Sequence, residues 1–319
     1  MTFLKPNAEQ ARAGLRAMKT TLTAAGAPLD GPRREALTAI QKHLLETSYD
    51  LDALEPIEPA ELANAVDGAT LREQLVGGLV TVAMVGEKVD PREAVEVERF
   101  AAALEVAPAT VGQLRKFAEE RFLLFRLDVI RNGPGGENIR QLLEEQGLLS
   151  VLKNALSFAG LIENTEVAER YHALEGYADG TLGKELWKFY KARNFKFPGE
   201  RGGAPEALLS HDLSHVLGGY DTDIRSEGLV LSFTAGYRRH NPFAVLVFML
   251  AQAQHGLKLT PLADTYKGLV SEPGLPDSLV RAFVRGSAMN IDLMDHWDFW
   301  AVMDRPIHAL RKQYNILPA

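Results

Sequence analysis

His211, Asp212 and His215 gather two imidazoles and a carboxylate within five residues, and Glu227 follows after eleven intervening positions. On a helix, His211 and His215 share a face because they are four residues apart, with Asp212 one step round the cylinder. Neutral imidazoles and carboxylates fill most of a tetrahedral or facial set of positions around a borderline-soft divalent cation. The pattern therefore reads first as a metal site made of His211, Asp212, His215 and Glu227. A plain polar stripe has the same spacing, and Glu227 in a first helical turn would favour the helix dipole alone. A third reading follows the zinc-protease order His-Glu-x-x-His, in which the acidic residue is the general base; Asp212 stands there, one methylene shorter.

These side chains need two helices and a reversal. Pro205 and Glu206 suit a helix start, and Gly218 with Gly219 suits its stop, since glycine takes the left-handed exit at little cost. A turn from Gly218 to Asp223 and a second helix starting near Asp223 would return Glu227 to the histidines.

The ordered set His-Asp-x-x-His, eleven residues, Glu resembles the motif of the ubiquinone (coenzyme Q) biosynthesis protein Coq-four family, and matches it at all four positions. Two flanking stretches resemble that family as well. One runs from Thr181 to Tyr190, the other from Phe283 through Trp297 to Arg311, so the likeness covers roughly residues 160–319. It implies a metal-binding helical domain, a divalent ion (zinc or Fe(II)), and action on a prenylated aromatic ring by oxidative decarboxylation and hydroxylation. It also implies isoprenoid lipid binding, a multi-protein biosynthetic complex and peripheral contact with the inner face of a membrane.

Composition narrows the alternatives. The chain has 319 residues, 46% of them hydrophobic, enough for two domains with sizeable cores. Its net charge of -7 disfavours nucleic-acid binding, and any membrane contact must be apolar or local, for example at Tyr237 to His240. With no cysteine, disulfides, thiolate zinc sites and a cysteine nucleophile are excluded. The start of the sequence lacks a secretory or organelle leader pattern, so a cytoplasmic protein is expected. The apolar runs from Leu75 to Gly86 and from Phe243 to Ala251 are too short to span a bilayer, which needs roughly 20 residues.

The pattern along the chain is helical throughout, and the expected fold is all-α with two domains, 1–135 and 137–319, parted at the breaker Arg131 to Gly136. Helices are expected over 7–25, 33–47, from about 58, 69–86, 92–104 and 108–130. Asp90 caps the fifth and Pro91 takes its first position. The stretch from Leu71 to Glu119 resembles the tellurite-resistance TerB-like helical domain, although Gly86-Glu87-Lys88 replaces the Asp-Gly pair usual in that loop. That departure weakens the case for a metal role of the loop. The resemblance implies a docking module; plain helical packing explains the pattern equally well.

In the second half, helices are expected over 137–144, 148–159, 166–174, 182–192, 243–254, 276–290 and 305–314. The glycine-rich loop from Asn194 to Ala204, just before the metal helix, reads as mobile, either a gate or a surface connection. The stretch from Phe243 to Gln254 is apolar all round, which means burial, or a tunnel for an isoprenoid tail walled by Phe243, Leu246, Val247 and Leu250.

The leading expectation is a metal-dependent protein of quinone-type biosynthesis. His211, His215 and Glu227 would hold the ion, and Asp212 would act as a further ligand or as the catalytic proton carrier. A non-catalytic lipid-binding scaffold with a structural zinc is the alternative from another class, and a metal-dependent hydrolase stands third. A homodimer fits any of them.

Overall fold

Helix signals in the sequence become helices at nearly every expected place. The computed structural model describes residues 3–132, 163–259 and 265–318; the helices expected over 137–144 and 148–159 lie outside them. Among the described residues there is no strand, only two isolated bridges, so the fold is all-α. No helix among them is long and apolar enough to cross a membrane.

The chain groups into two compact units, one combining Met1–Gly133 with Asp223–Ser287, the other Pro134–Thr222 with Ala288–Ala319. The expected split is 1–135 and 137–319. Residues 223–287 group with the first unit. The reason is burial: Val245, Leu250 and Leu275 share one apolar core with Leu15, Leu37, Val80 and Val97. Removing that much apolar surface from water outweighs sequence proximity.

In the first unit, α1 (Ala8–Thr23) starts with a capping box in which Asn7 and Gln10 satisfy each other's backbone donors. The second helix, α2 (Gly31–Ala39), continues as a π-helical turn over Ile40–Leu44. Three more helices follow as α3 (Pro59–Ala65), α4 (Ala69–Ala83) and α5 (Pro91–Ala103). Asp90 caps α5 by accepting from Arg92 N at 2.8 Å, with Pro91 in the first turn.

The single helix expected over 108–130 is two, α6 (Ala109–Ala118) and α7 (Phe122–Asn132). Glu120 at φ 58° turns the chain between them, which lets Phe117 meet Phe125 edge-on at 5.0 Å. Aromatic packing has overridden continuous helix propensity here.

The remaining helices of this unit are α11 (Ile224–Tyr237), α12 (Pro242–Met249) and α13 (Leu275–Ser287), and α12 runs on into a π-helical turn over Leu250–Gln254. The helices α11 and α13 approach closely. A methyl on Gly236 would lie 2.1 Å from the Phe283 carbonyl oxygen, and one on Gly286 would lie 2.0 Å from that of Phe233. Only glycine leaves room for that contact.

The second unit holds α8 (Thr165–His172), α9 (Leu182–Arg193), α10 (Leu209–Gly218) and α14 (Ile307–Gln313). The start of α9 is tied to the segment before α14: Leu182 N donates to Arg305 O at 2.9 Å, Gly183 N to Met303 O at 2.8 Å, and Ile307 N to Gly180 O at 2.9 Å. Trp297 and Trp300 pack within this unit and also spend their N–H groups. Trp297 donates to Tyr314 at 3.2 Å and Trp300 to Glu206 at 2.9 Å.

Candidate metal centre

A 3-10 turn over Glu206–Leu208 leads from Pro205 into α10, and Gly219 at φ 74° closes that helix, as the glycine pair predicts. Gly219 N and Tyr220 N both return to the His215 carbonyl, at 2.7 and 3.0 Å. From α14, Arg311 reaches two more carbonyls of the last turn, Leu217 O at 2.8 Å and Val216 O at 3.3 Å. A guanidinium at a helix C-terminus satisfies orphan acceptors and complements the dipole.

Helical spacing then places the imidazoles together. His211 Nε2 and His215 Nε2 are 3.2 Å apart with the rings at 88°. His215 is 1% exposed and lies on Phe189, ring centres 5.6 Å apart. The chain reverses through Asp221 and Thr222, where Arg193 donates to Asp221 at 2.5 Å and to Thr222 at 3.1 Å. That guanidinium, which also stacks on Phe189 at 4.0 Å, holds the Asp221 carboxyl below the usual carboxylate range.

Asp223 begins α11 as a full N-cap, accepting from Arg225 N at 3.0 Å and Ser226 N at 3.2 Å. Its pKa is lowered first by the Ser226 hydroxyl, which donates at 2.6 Å. Glu227 thereby falls in the first turn of α11.

His211, His215 and Glu227 are a group that could hold a metal ion, each offering one ligand atom. Two histidines and a carboxylate suit zinc or Fe(II).

The fourth residue expected in the set, Asp212, is not in that group. Its carboxylate accepts a short hydrogen bond from the Tyr190 hydroxyl on α9. Tyr190 is 2% exposed, and its pKa is raised well above the ordinary phenol value, first by burial and then by the Asp212 charge. The phenol therefore stays protonated and serves as a donor.

Sequence reading missed Tyr190 as a site residue. It lies in an aromatic helix whose pattern predicts packing alone, and nothing in the spacing selects it over Phe189.

The glycine-rich loop from Asn194 to Ala204 makes several fixed contacts. Phe197, 1% exposed, stacks on Tyr190 at 4.9 Å with a 7° interplanar angle. Its amide donates to Glu200 at 2.8 Å, and Gly199 O accepts from Asn164 N at 2.8 Å. A side chain at Gly199 or Gly203 would meet backbone at 2.6 or 2.0 Å, so the glycines serve close packing. Nearby, the Glu206 carboxylate takes two donors, the Tyr171 hydroxyl at 2.7 Å and Trp300 at 2.9 Å.

Of the four residues expected to wall a tunnel, Phe243, Leu246 and Leu250 line a cavity of about 150 Å3 in the first unit. Val247 is buried in the core and does not line it.

In comparison with known proteins, no family model matches the chain, and no curated protein matches it either.

Proposed function

We propose that this chain is a metal-dependent protein of quinone-type biosynthesis that acts on, or binds, a prenylated aromatic precursor. The observation that carries this reading is the grouping of His211, His215 and Glu227. Their order, with Asp212 and the flanking stretches, is that of the Coq-four motif, and the apolar wall of Phe243, Leu246 and Leu250 suits an isoprenoid tail.

The two imidazoles and the Glu227 carboxylate would hold the ion. A divalent ion bound there would supply Lewis acidity or, as iron, oxygen chemistry. A position left for water or substrate would mark a working ion, and closure by four protein ligands a structural zinc. Asp212 is the proton carrier of this scheme: its carboxylate accepts from the Tyr190 hydroxyl, which keeps it oriented. Buried His215 and its Phe189 neighbour restrict water at the histidine face.

Metal analysis of protein purified without a histidine tag tests the reading, repeated on His211→Ala and Glu227→Gln. One equivalent in the wild type, lost in both variants, is expected; iron would direct the next assay to oxygen-dependent turnover of a prenylated hydroxybenzoate. No metal in the wild type, or full retention in both variants, overturns it. One tightly closed zinc with no turnover of such a substrate would instead favour the scaffold reading.

A further inference from the structure

We propose that the cavity of about 150 Å3 in the first unit binds a compact, uncharged apolar molecule carrying one acceptor oxygen, such as an aryl ketone, with Gln74 as the donor to that oxygen. The site is built within that unit and needs neither the metal residues nor a prenylated substrate.

The cavity is walled by α12, α13 and the N-terminal helices, through residues such as Met18, Leu75, Met249 and Phe283. No described residue lining it is charged. An ionised guest would lose its water and gain no counter-charge, so the walls select an uncharged one. An apolar void of about this size stays dry and takes a guest of about benzene's size. Flexible Met18 and Met249 can yield to a small side group on such a ring.

Two irregular turns help to shape the void. Among the described residues, the π-helical turns over Ile40–Leu44 and Leu250–Gln254 both supply lining residues, Ile40 and Leu44 from the first and Leu250 from the second. A π-turn widens the helix at the expense of its regular hydrogen-bond ladder, and such turns recur at functional sites.

The polar contact is specified by what the lining side chains have already spent. Thr81 donates its hydroxyl to Gly77 O at 2.8 Å, and Ser232 donates to Leu279 O at 2.7 Å. Gln10 belongs to the capping box of α1. Gln74 differs. It is 5% exposed, its Oε1 accepts from Leu4 N at 3.0 Å, and its Nε2 is buried with no hydrogen-bond partner. The accepting role of Oε1 fixes the amide orientation, so the unmatched group is a donor. A buried donor without an acceptor is costly, and a guest oxygen would relieve that cost. Apolar walls with one convergent polar group hold a ligand by its shape and fix its orientation by a single hydrogen bond.

Calorimetric titration of the full-length protein with acetophenone tests this, with isopropylbenzene as the control in which a methyl replaces the carbonyl oxygen. Saturable binding of one acetophenone is expected. Gln74→Met keeps the side-chain length and removes the donor. It should weaken acetophenone about fivefold, the size of one neutral hydrogen bond, and leave isopropylbenzene as tight or tighter. In the wild type, the Gln74 side-chain amide protons should move further downfield with the ketone than with the hydrocarbon in nuclear magnetic resonance spectra, a readout that needs no variant. Absence of saturable acetophenone binding overturns the proposal. So does an equal amide shift with both guests, or equal weakening of both by Gln74→Met. The same titration on His211→Ala should give the wild-type result, so failure of the metal reading and failure of this one are told apart.

Discussion

The Tyr190 hydroxyl donates to the Asp212 carboxylate, linking α9 to α10 beside the two histidines. Asp212 is thereby oriented by a buried phenol, while His211, His215 and Glu227 make up the group that could hold a metal. Asp212→Asn should consequently keep about one equivalent of metal, whereas His211→Ala loses it. Elemental analysis of the two proteins side by side decides, and metal loss in the Asp212 variant would make that residue a ligand.

Tyr190→Phe removes the donor and leaves the Asp212 carboxylate short of one hydrogen bond. The expected cost is about 1–3 kcal/mol of folding stability, with metal content unchanged. Urea denaturation checks the first half and metal analysis the second. Stability equal to the wild type would mean that water replaces the phenol without loss.

Gly236 and Gly286 permit the close crossing of α11 and α13. Gly236→Ala places a methyl against the Phe283 carbonyl, where backbone must move. A loss of roughly 1–3 kcal/mol is expected, as in overpacked cores. Because α11 carries Glu227, metal affinity should fall in the same variant. A control at Gly112, where an added methyl would lie 3.9 Å from its nearest neighbour, should leave metal affinity unchanged.

Glu93 is wholly buried beside Arg33, whose Nη2 donates to it at 3.2 Å. Burial raises its pKa from 4.5 to about 7 against the opposing pull of Arg33. Since the folded value lies above the unfolded one, the native state binds the extra proton between them. The stabilising contribution is therefore full below about pH 4.5 and is lost as pH rises to about 7, on the order of 3 kcal/mol across that window. Unfolding free energies of the wild type minus those of Glu93→Gln should fall across this range and level off above it. A flat difference would show that Arg33 keeps the carboxylate ionised throughout.

Much of the candidate site was legible in local pattern. The i, i+4 spacing of His211 and His215, the Gly219 exit, the Asp223 cap and the position of Glu227 in a first turn are set by backbone geometry over about twenty residues, so the order of residues determines them. The same holds for the capping box at Asn7 and for the Asp90-Pro91 helix start.

Tertiary structure decided what depends on partners distant along the chain. That Asp212 receives Tyr190, that Phe197 stacks on the same ring and pins a glycine-rich loop, and that Glu93 meets Arg33 follow from packing between separate helices. The grouping of residues 223–287 with the N-terminal helices is of the same kind. An apolar helix surface is complementary to many others, and its final neighbour is the one that buries the most area without leaving a polar group unmatched. Periodicity names the face to be buried; only the assembled core selects what covers it.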